Sequence, residues 1–278
     1  MLTPLLVLNP DELGQDPAVG MDLAAALDIG DLELRTAWDR NLLLADDDQL
    51  DSLRGAATAR GLRVAALAAP LWKWCLPEAK PGRVDSFGFP TQVARADRKR
   101  WVDRALEVAG ILGAPRVRVF SHLRVGDLTE AFADDPLLPY ALECAQRAGI
   151  RLLLENEPVC TMAKPDGLLD VLGRHSALGL WLDLGNLHEV GHATVDTVAQ
   201  LAPFTEYVHV KDWRAHSEGT LEFCPAGRGE VPYGELLTVL DELRPGLPYG
   251  LETHVKGDPA DALREGAEFL RTRASSTC

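Results

Sequence analysis

Eight times along this chain a short apolar run gives way to a longer amphipathic stretch, and few folds accommodate that rhythm. The runs are LLVL (5–8), DLELR (31–35), LRVAALA (62–68), PRVRVF (115–120), IRLLLE (150–155), LGLWLD (178–183), EYVHV (206–210) and YGLE (249–252). Each is strand-length and too short for a buried helix. The spacing between them predicts helices around Asp22–Leu27, Asp47–Arg60, Thr91–Leu112, Leu137–Ala148, Pro165–Gly173, Ala193–Leu201, Tyr233–Leu243 and Pro259–Arg271. Asp166 and Asp258 stand at or near starts, and Gly61, Gly149 and Gly173 at ends, as helix signals require. Such alternation implies a parallel sheet, and eight units in 278 residues match a (β/α)8 TIM barrel. The alternative is an open doubly wound sheet, whose first turn usually carries GxGxxG for a nucleotide; here that loop reads NPDELGQDPAVG. No linker, low-complexity segment or repeat beyond the βα unit interrupts the pattern, so residues 1–278 read as a single TIM-barrel domain of the α/β class.

Charge and cysteine usage narrow the partners. A net charge of −14, with no basic run longer than ADRKRW (96–101), repels nucleic acid and anionic membranes. No stretch approaches the roughly 20 apolar residues of a membrane span. The start, MLTPLLVLNPDELGQ, lacks a basic segment before its apolar run and reads as a first strand, not a signal peptide. Five scattered cysteines without a CxxC fit a reduced cytoplasm. The expected partner is a small molecule; the oligomeric state is not legible.

The chemistry gathers in the second half. RLLLENEP (151–158) ends its apolar run on Glu155, LGLWLD ends on Asp183, EYVHV carries His209, and YGLE ends on Glu252. In a barrel these four lie at the mouth ends of strands five to eight, as neighbours around one side of the ring. Residues two apart share a strand face, so Glu157 joins Glu155, Lys211 joins His209 and His254 joins Glu252. Three converging carboxylates repel and force protonation unless a cation intervenes. Three oxygens and one imidazole suit a single Mn²⁺ or Mg²⁺ ion, with Co²⁺ or Zn²⁺ as further options; this is not the sulfur-rich set of a structural zinc site. Taken singly, each carboxylate reads equally well as a helix cap or an ion-pair partner, and His209 as a core histidine.

The motifs ENEP, LDLGN, VHVKD with a downstream GRGEVPY, and GLETH resemble those of the xylose-isomerase-like TIM barrels, the sugar phosphate isomerase/epimerase superfamily. The resemblance covers residues 150–255; before that it rests on topology and on LELR at strand two. It implies one divalent metal held by Glu155, Asp183, His209 and Glu252, with Glu155 and Glu252 also moving the substrate proton. Members include ketose epimerases, hydroxypyruvate isomerases, inosose and dehydroshikimate dehydratases, and apurinic-site endonucleases. The endonucleases it resembles use further histidines from strands three and four and one three residues after the strand-six Asp. Here LAAPLW has no histidine, Asn186 holds the latter position, and only His122 follows strand four. Ketose 3-epimerases usually place an acid and an arginine soon after the strand-seven His; HVKDWR, with Lys211, Asp212 and Arg214, looks more like the inosose-dehydratase and general isomerase branches.

The resulting expectation is a metal-dependent isomerase or epimerase of a small sugar or polyhydroxy carbonyl compound. A proton leaves the carbon beside a metal-bound carbonyl, through an enediolate. A dehydratase of keto-inositols or keto-sugars is the second expectation, and a non-catalytic sugar-binding barrel the third; DNA repair is disfavoured by charge. His188, His254 and Lys211 are candidate acids. Glu157, Arg35, Arg228 and Trp72 are further candidates for substrate contact. Glu33 and Arg35 share the inward face of strand two and could instead form a buried pair. His192 and His216 read as surface residues. The long loop 69–92, with Trp72, Trp74 and Phe87, is either an apolar lid or a packed Ω-loop closing the barrel end.

Overall fold

The computed structural model describes residues 4–215 and 220–276. Its eight parallel strands are β1 (Leu5–Leu8), β2 (Asp31–Leu34), β3 (Arg63–Leu71), β4 (Arg116–Val119), β5 (Arg151–Glu155), β6 (Leu178–Asp183), β7 (Thr205–Val210) and β8 (Pro248–Leu251). They close into one barrel in which each strand pairs with its neighbour in sequence and β8 pairs with β1. The chain is thus a (β/α)8 TIM barrel. The outer helices are α1 (Pro17–Ala26), α2 (Asp47–Ala59), α3 (Arg95–Leu112), α4 (Leu137–Arg147), α5 (Pro165–Arg174), α6 (Leu184–Glu189), α7 (Val195–Leu201), α8 (Tyr233–Leu243) and α9 (Pro259–Ser276).

Departures from the predicted elements have local causes. Helix α1 begins five residues before the expected Asp22, because Asp16 accepts the Ala18 N–H at 3.0 Å and Pro17 suits the first helical position. Strand β3 continues past the expected Ala68 to Leu71; Pro70 lacks an N–H, and pairing with β4 is irregular between Leu67 and Leu71. Helix α6 was not expected. It starts directly on β6 because Asp183 caps it, accepting the Asn186 N–H at 2.7 Å.

Inside the barrel, Val7, Ala65, Ala66, Ala68, Leu153, Trp181 and Tyr207 form a separate core. Alanines on β3 face across the ring toward the large side chain of β7, so small residues offset large ones. Trp181 and Tyr207 lie with ring centroids 3.9 Å apart. At roughly 150–250 Å² buried per aromatic ring, each contributes about 4–6 kcal/mol of transfer free energy. Gly250 on β8 makes room for this layer: a Cβ there would lie 2.7 Å from the Tyr207 hydroxyl and 3.0 Å from the His209 ring. The aromatic layer is therefore the floor on which the mouth residues stand.

Candidate metal centre

The ends of β5, β6, β7 and β8 bring Glu155, Asp183, His209 and Glu252 together. Each offers one ligand atom, and these atoms lie within 4.8 Å of one another. His209 Nδ1 faces Glu155 Oε1 at 3.7 Å, Asp183 Oδ2 at 3.6 Å and Glu252 Oε2 at 3.5 Å. These distances exceed the roughly 2.7–3.2 Å of a hydrogen bond, and Nδ1 is buried with no hydrogen-bond partner. They fit ligands of one shared ion. Two donors about 2.1–2.2 Å from a metal and about 110° apart stand about 3.4–3.6 Å from each other. The donor set and its spacing therefore suit a divalent cation.

A second layer fixes each donor. Glu33 Oε2 accepts from His209 Nε2 at 2.8 Å and from the Tyr207 hydroxyl at 2.9 Å. With Nε2 donating to Glu33, Nδ1 is the nitrogen that would meet a metal, once the proton it carries in the metal-free cluster is displaced. Asn156 of ENEP brackets Asp183, donating to its carbonyl at 2.9 Å and accepting its N–H at 2.7 Å. Arg118 Nη1 lies 3.0 Å from Glu155 Oε2, and Arg35 Nη1 lies 2.8 Å from Glu252 Oε1. Arg35 is itself held by Asp11 Oδ1 at 2.6 Å and Glu12 Oε1 at 2.9 Å. Lys211 Nζ reaches Asp183 Oδ2 at 2.9 Å and Glu252 Oε2 at 3.2 Å. A Cβ on Gly185 would lie 2.8 Å from Lys211 Cγ, so the glycine of LDLGN gives the lysine its path.

These contacts set the charges. Burial pushes the Glu155 carboxyl up, but Arg118 and His209 outweigh it and lower its pKa to about 2. Burial likewise opposes ionisation of Glu252, and Lys211, His209 and His254 hold it well below the usual carboxylate range. Burial opposes a charge on His209, yet Glu33 and Glu252 outweigh it and hold the imidazole well above its ordinary value. Without a metal the cluster thus balances its carboxylates with His209 and Lys211; a divalent ion held by Glu155, Asp183, His209 and Glu252 would supply the same compensation.

Above the cluster lies a cavity of about 180 Å³ bordered by Lys73, Phe87, Arg118, Glu155, Glu157, Lys211, Trp213, Glu252 and His254 among others. It is smaller than the roughly 300–1,000 Å³ of drug-sized pockets.

A family model described as "Xylose isomerase-like TIM barrel" matches residues 21–273. The chain belongs to the xylose isomerase-like TIM barrel family. An uncharacterised Escherichia coli K12 protein, YihM, is 28% identical over 169 residues, 58% of this chain and 51% of that protein; the match spans about half the length of that relative. Among solved structures, a D-allulose 3-epimerase from Methylomonas sp. aligns with a TM-score of 0.73 at 16% identity over 98% of each chain. A xylose isomerase-like TIM barrel protein from Mycobacterium smegmatis, solved with magnesium, aligns with a TM-score of 0.70 at 19% identity over 99% of this chain and 97% of that one. These two likenesses are of fold.

This xylose isomerase-like barrel places the sequence-predicted residues unequally. Glu157, Lys211 and His254 border the cavity; Glu157 meets Lys73 at 3.2 Å, and His254 Nε2 lies 3.3 Å from Glu252 Oε2. Arg35 and Glu33 do not pair with each other: one holds Glu252 and the other His209. Trp72 is displaced from its expected role. Its ring is fully buried, its indole N–H donates to Asp135 at 2.9 Å, and it packs edge-on against Phe132. Loop 69–92 is therefore packed at its tryptophans, and of its large aromatics Phe87 reaches the cavity, beside Lys73 and Asp85 of the same loop. Arg228 points away from it and pairs with Glu265 at 2.9 Å. His188, on α6, stacks on Trp213 with centroids 5.0 Å apart, and it is Trp213 that borders the cavity. His122 stands apart, bonded to Asp135 at 2.8 Å. His216 lies outside the described residues.

Sequence reasoning missed Arg118, Lys73, Asn156 and the Asp11–Glu12 pair. Arg118 carried a signal: with Arg116 it shares the inward face of RVRV, alternating with outward Val117 and Val119, and it is the one nearer the mouth. The GRGEVPY segment has a structural explanation. Asp212 gathers the N–H groups of Trp213, Gly227, Gly229 and Val231 at 2.8–3.1 Å, folding the loop beside the mouth. No helix among the described residues is long and apolar enough to cross a membrane.

Proposed function

We propose that this chain is a divalent-metal-dependent isomerase or epimerase of a small sugar or polyhydroxy carbonyl compound. One observation carries the reading: an orphaned His209 Nδ1 facing three carboxylate oxygens at 3.5–3.7 Å, beneath a small cavity bordered by polar groups. Mn²⁺ or Mg²⁺ suits one nitrogen and three oxygens. When bound, such an ion supplies Lewis-acid stabilisation of the negative charge that develops as a carbon–hydrogen bond beside a carbonyl breaks.

The protein's own groups do the rest. Glu155 and Glu252 both border the cavity, each kept ionised against its burial, Glu155 chiefly by Arg118 and Glu252 by Lys211 and His209, so either can take a proton from substrate carbon. For epimerisation the second glutamate returns a proton to the opposite face. Lys73, Glu157 and Lys211 offer hydrogen bonds that orient hydroxyl groups. Trp213, Phe87 and Phe223 wall the cavity with apolar surface and limit water. A dehydratase is the second reading. Lys211 and His254 lie 3.2 and 3.3 Å from Glu252 Oε2, placing an acid beside a base, as loss of a hydroxyl requires. The free thiols of Cys75, Cys144, Cys160 and Cys224 fit a reducing cytoplasm.

Elemental analysis after saturation with Mn²⁺ tests the metal: wild type should retain one equivalent and Asp183→Asn, which keeps the helix cap, none. A wild type that takes up no divalent ion sinks the proposal. Incubation with ketoses and keto-inositols in D₂O separates the reactions. Deuterium incorporation without loss of water supports isomerisation or epimerisation, and an enone or diketone product supports dehydration. Sugar binding with neither outcome points to a binding protein.

A further inference from the structure

The metal cavity has a neighbour that the chemistry above does not use. A cavity of about 340 Å³ is lined by Asp11, Gln15, Arg35, Thr36, Asp39, Arg40, Asp85, Phe87 and Gly88. Asp85 and Phe87 border both cavities, so the two are separated by side chains of loop 69–92 and not by the barrel wall. At about 30 Å³ per water, the metal cavity holds roughly six waters and its neighbour roughly eleven. Each is large enough for a single small ring.

The second lining is built for hydroxyl groups. It presents carboxylates, guanidinium groups, an amide and a hydroxyl, with one aromatic ring. Its Gln15 Oε1 is buried without a partner. The amide orientation follows from the network: the Thr36 hydroxyl gives its hydrogen to Asp11 Oδ2 at 2.6 Å, so it can only accept from Gln15 Nε2, at 3.1 Å. That leaves Oε1 as an acceptor in need of a donor. Asp39 and Arg40 come from a tight hairpin, Thr36–Ala37 with Arg40–Asn41, whose turn residues Trp38 and Asp39 both have positive φ, 54° and 59°. The Trp38 N–H ties this hairpin to the Gln15 carbonyl at 2.7 Å. Among the described residues neither Asp39 nor Arg40 makes an ion pair.

The partition itself is unusual. Phe87 holds φ at 51°, a conformation an aromatic residue rarely adopts. A cation meets its ring from each cavity: Arg35 at 4.4 Å, and Lys73 at 4.7 Å with Arg118 at 5.4 Å. Arg35 also joins the second cavity to the metal cluster, holding Asp11 and Glu252 at once.

We propose that the second cavity is a subsite for another sugar unit: the substrate is a glycoside or disaccharide whose reacting unit lies over the metal cluster and whose other unit lies beyond Phe87, against Gln15 and Arg40. This rests on the sugar-directed function proposed above and narrows its substrate class. Titration calorimetry of the Mn²⁺-loaded protein tests it, with glucose, galactose, fructose, maltose, cellobiose, lactose and sucrose as probes. At least one disaccharide should bind about tenfold more tightly than either of its component sugars, the worth of one or two net hydrogen bonds. Gln15→Ala and Arg40→Ala, on separate segments, should each bring that ratio toward one. Disaccharides that bind no better than single sugars, or not at all, overturn the proposal, as does a preference unchanged in both variants. Metal uptake and deuterium exchange with single sugars report on the underlying function independently.

Discussion

Glu33→Gln isolates what the second layer does for the metal cluster. Glu33 Oε2 accepts from both His209 Nε2 and the Tyr207 hydroxyl, at 2.8 and 2.9 Å, and an amide oxygen in its place can accept both. The substitution therefore removes a charge while keeping the geometry. The 2.8 Å hydrogen bond, an imidazole ring and a metal–nitrogen bond of about 2.1 Å put the carboxylate roughly 6–7 Å from a bound ion. At an effective dielectric near 20, that attraction to a divalent charge is about 5 kcal/mol before desolvation. The carboxylate's own burial offsets much of it, which brings the expected loss to about 10–100-fold in affinity, or about 1.4–2.7 kcal/mol. The proton balance should move as well. In the metal-free protein, carboxylates outweigh burial and hold His209 well above its ordinary pKa. At neutral pH its Nδ1 then carries a proton that a metal must displace. Below that raised pKa each binding event releases about one proton, and affinity rises about tenfold per pH unit. Glu33→Gln lowers that pKa and so reduces proton release. Calorimetric Mn²⁺ titration in buffers of different ionisation enthalpy reads both quantities. Wild-type affinity together with wild-type proton release in Glu33→Gln would refute the role assigned to Glu33.

Gly250→Ala puts a Cβ against Tyr207 and His209. Overpacking of this kind costs about 1–3 kcal/mol, and differential scanning calorimetry should show a lowered melting temperature alongside weaker Mn²⁺ binding. Trp72→Phe removes the hydrogen bond to Asp135 from a fully buried ring; it should destabilise by about 1–3 kcal/mol in urea denaturation and leave deuterium exchange into single sugars intact. A loss of exchange in a folded Trp72→Phe would return that tryptophan to the substrate. Asp212→Ala strands four backbone N–H groups, which amounts to roughly 2–5 kcal/mol and should make the 225–231 loop the earliest site of proteolysis; wild-type proteolytic resistance would deny Asp212 its anchoring role.

What the sequence revealed and what it withheld divide along a physical line. The four clustered donors were legible because each breaks its strand's own rule: a charge or imidazole where an apolar run should end, at a parity fixed by the period of two. Glu157, Lys211 and His254 lie one to three residues past their strand ends and still border the cavity, because so short an extension stays at the mouth. Trp72 and Arg228 do not border it: Trp72, one residue past β3, has a positive φ of 61° that breaks the strand's alternation, and Arg228 lies deep in a loop, where no periodicity fixes the direction of a side chain. Trp72 then followed its largest free-energy gain, which is burial with its N–H satisfied. Glu33 and Arg35 show a different limit. Their shared inward face was readable, but their partners depend on a ring that closes β8 onto β1. Closure sets Glu252 beside Arg35 and sets Glu33 beneath His209. Arg118 and Glu155 are joined across β4 and β5, which pair directly as consecutive strands. Each glutamate of the cluster thus has an arginine on a neighbouring part of the ring, and for Glu252 that arginine follows only from closure. Against burial, Arg118 keeps Glu155 ionised, and Lys211 with His209 and His254 does the same for Glu252, so the two candidate bases stay charged before an ion and a substrate arrive.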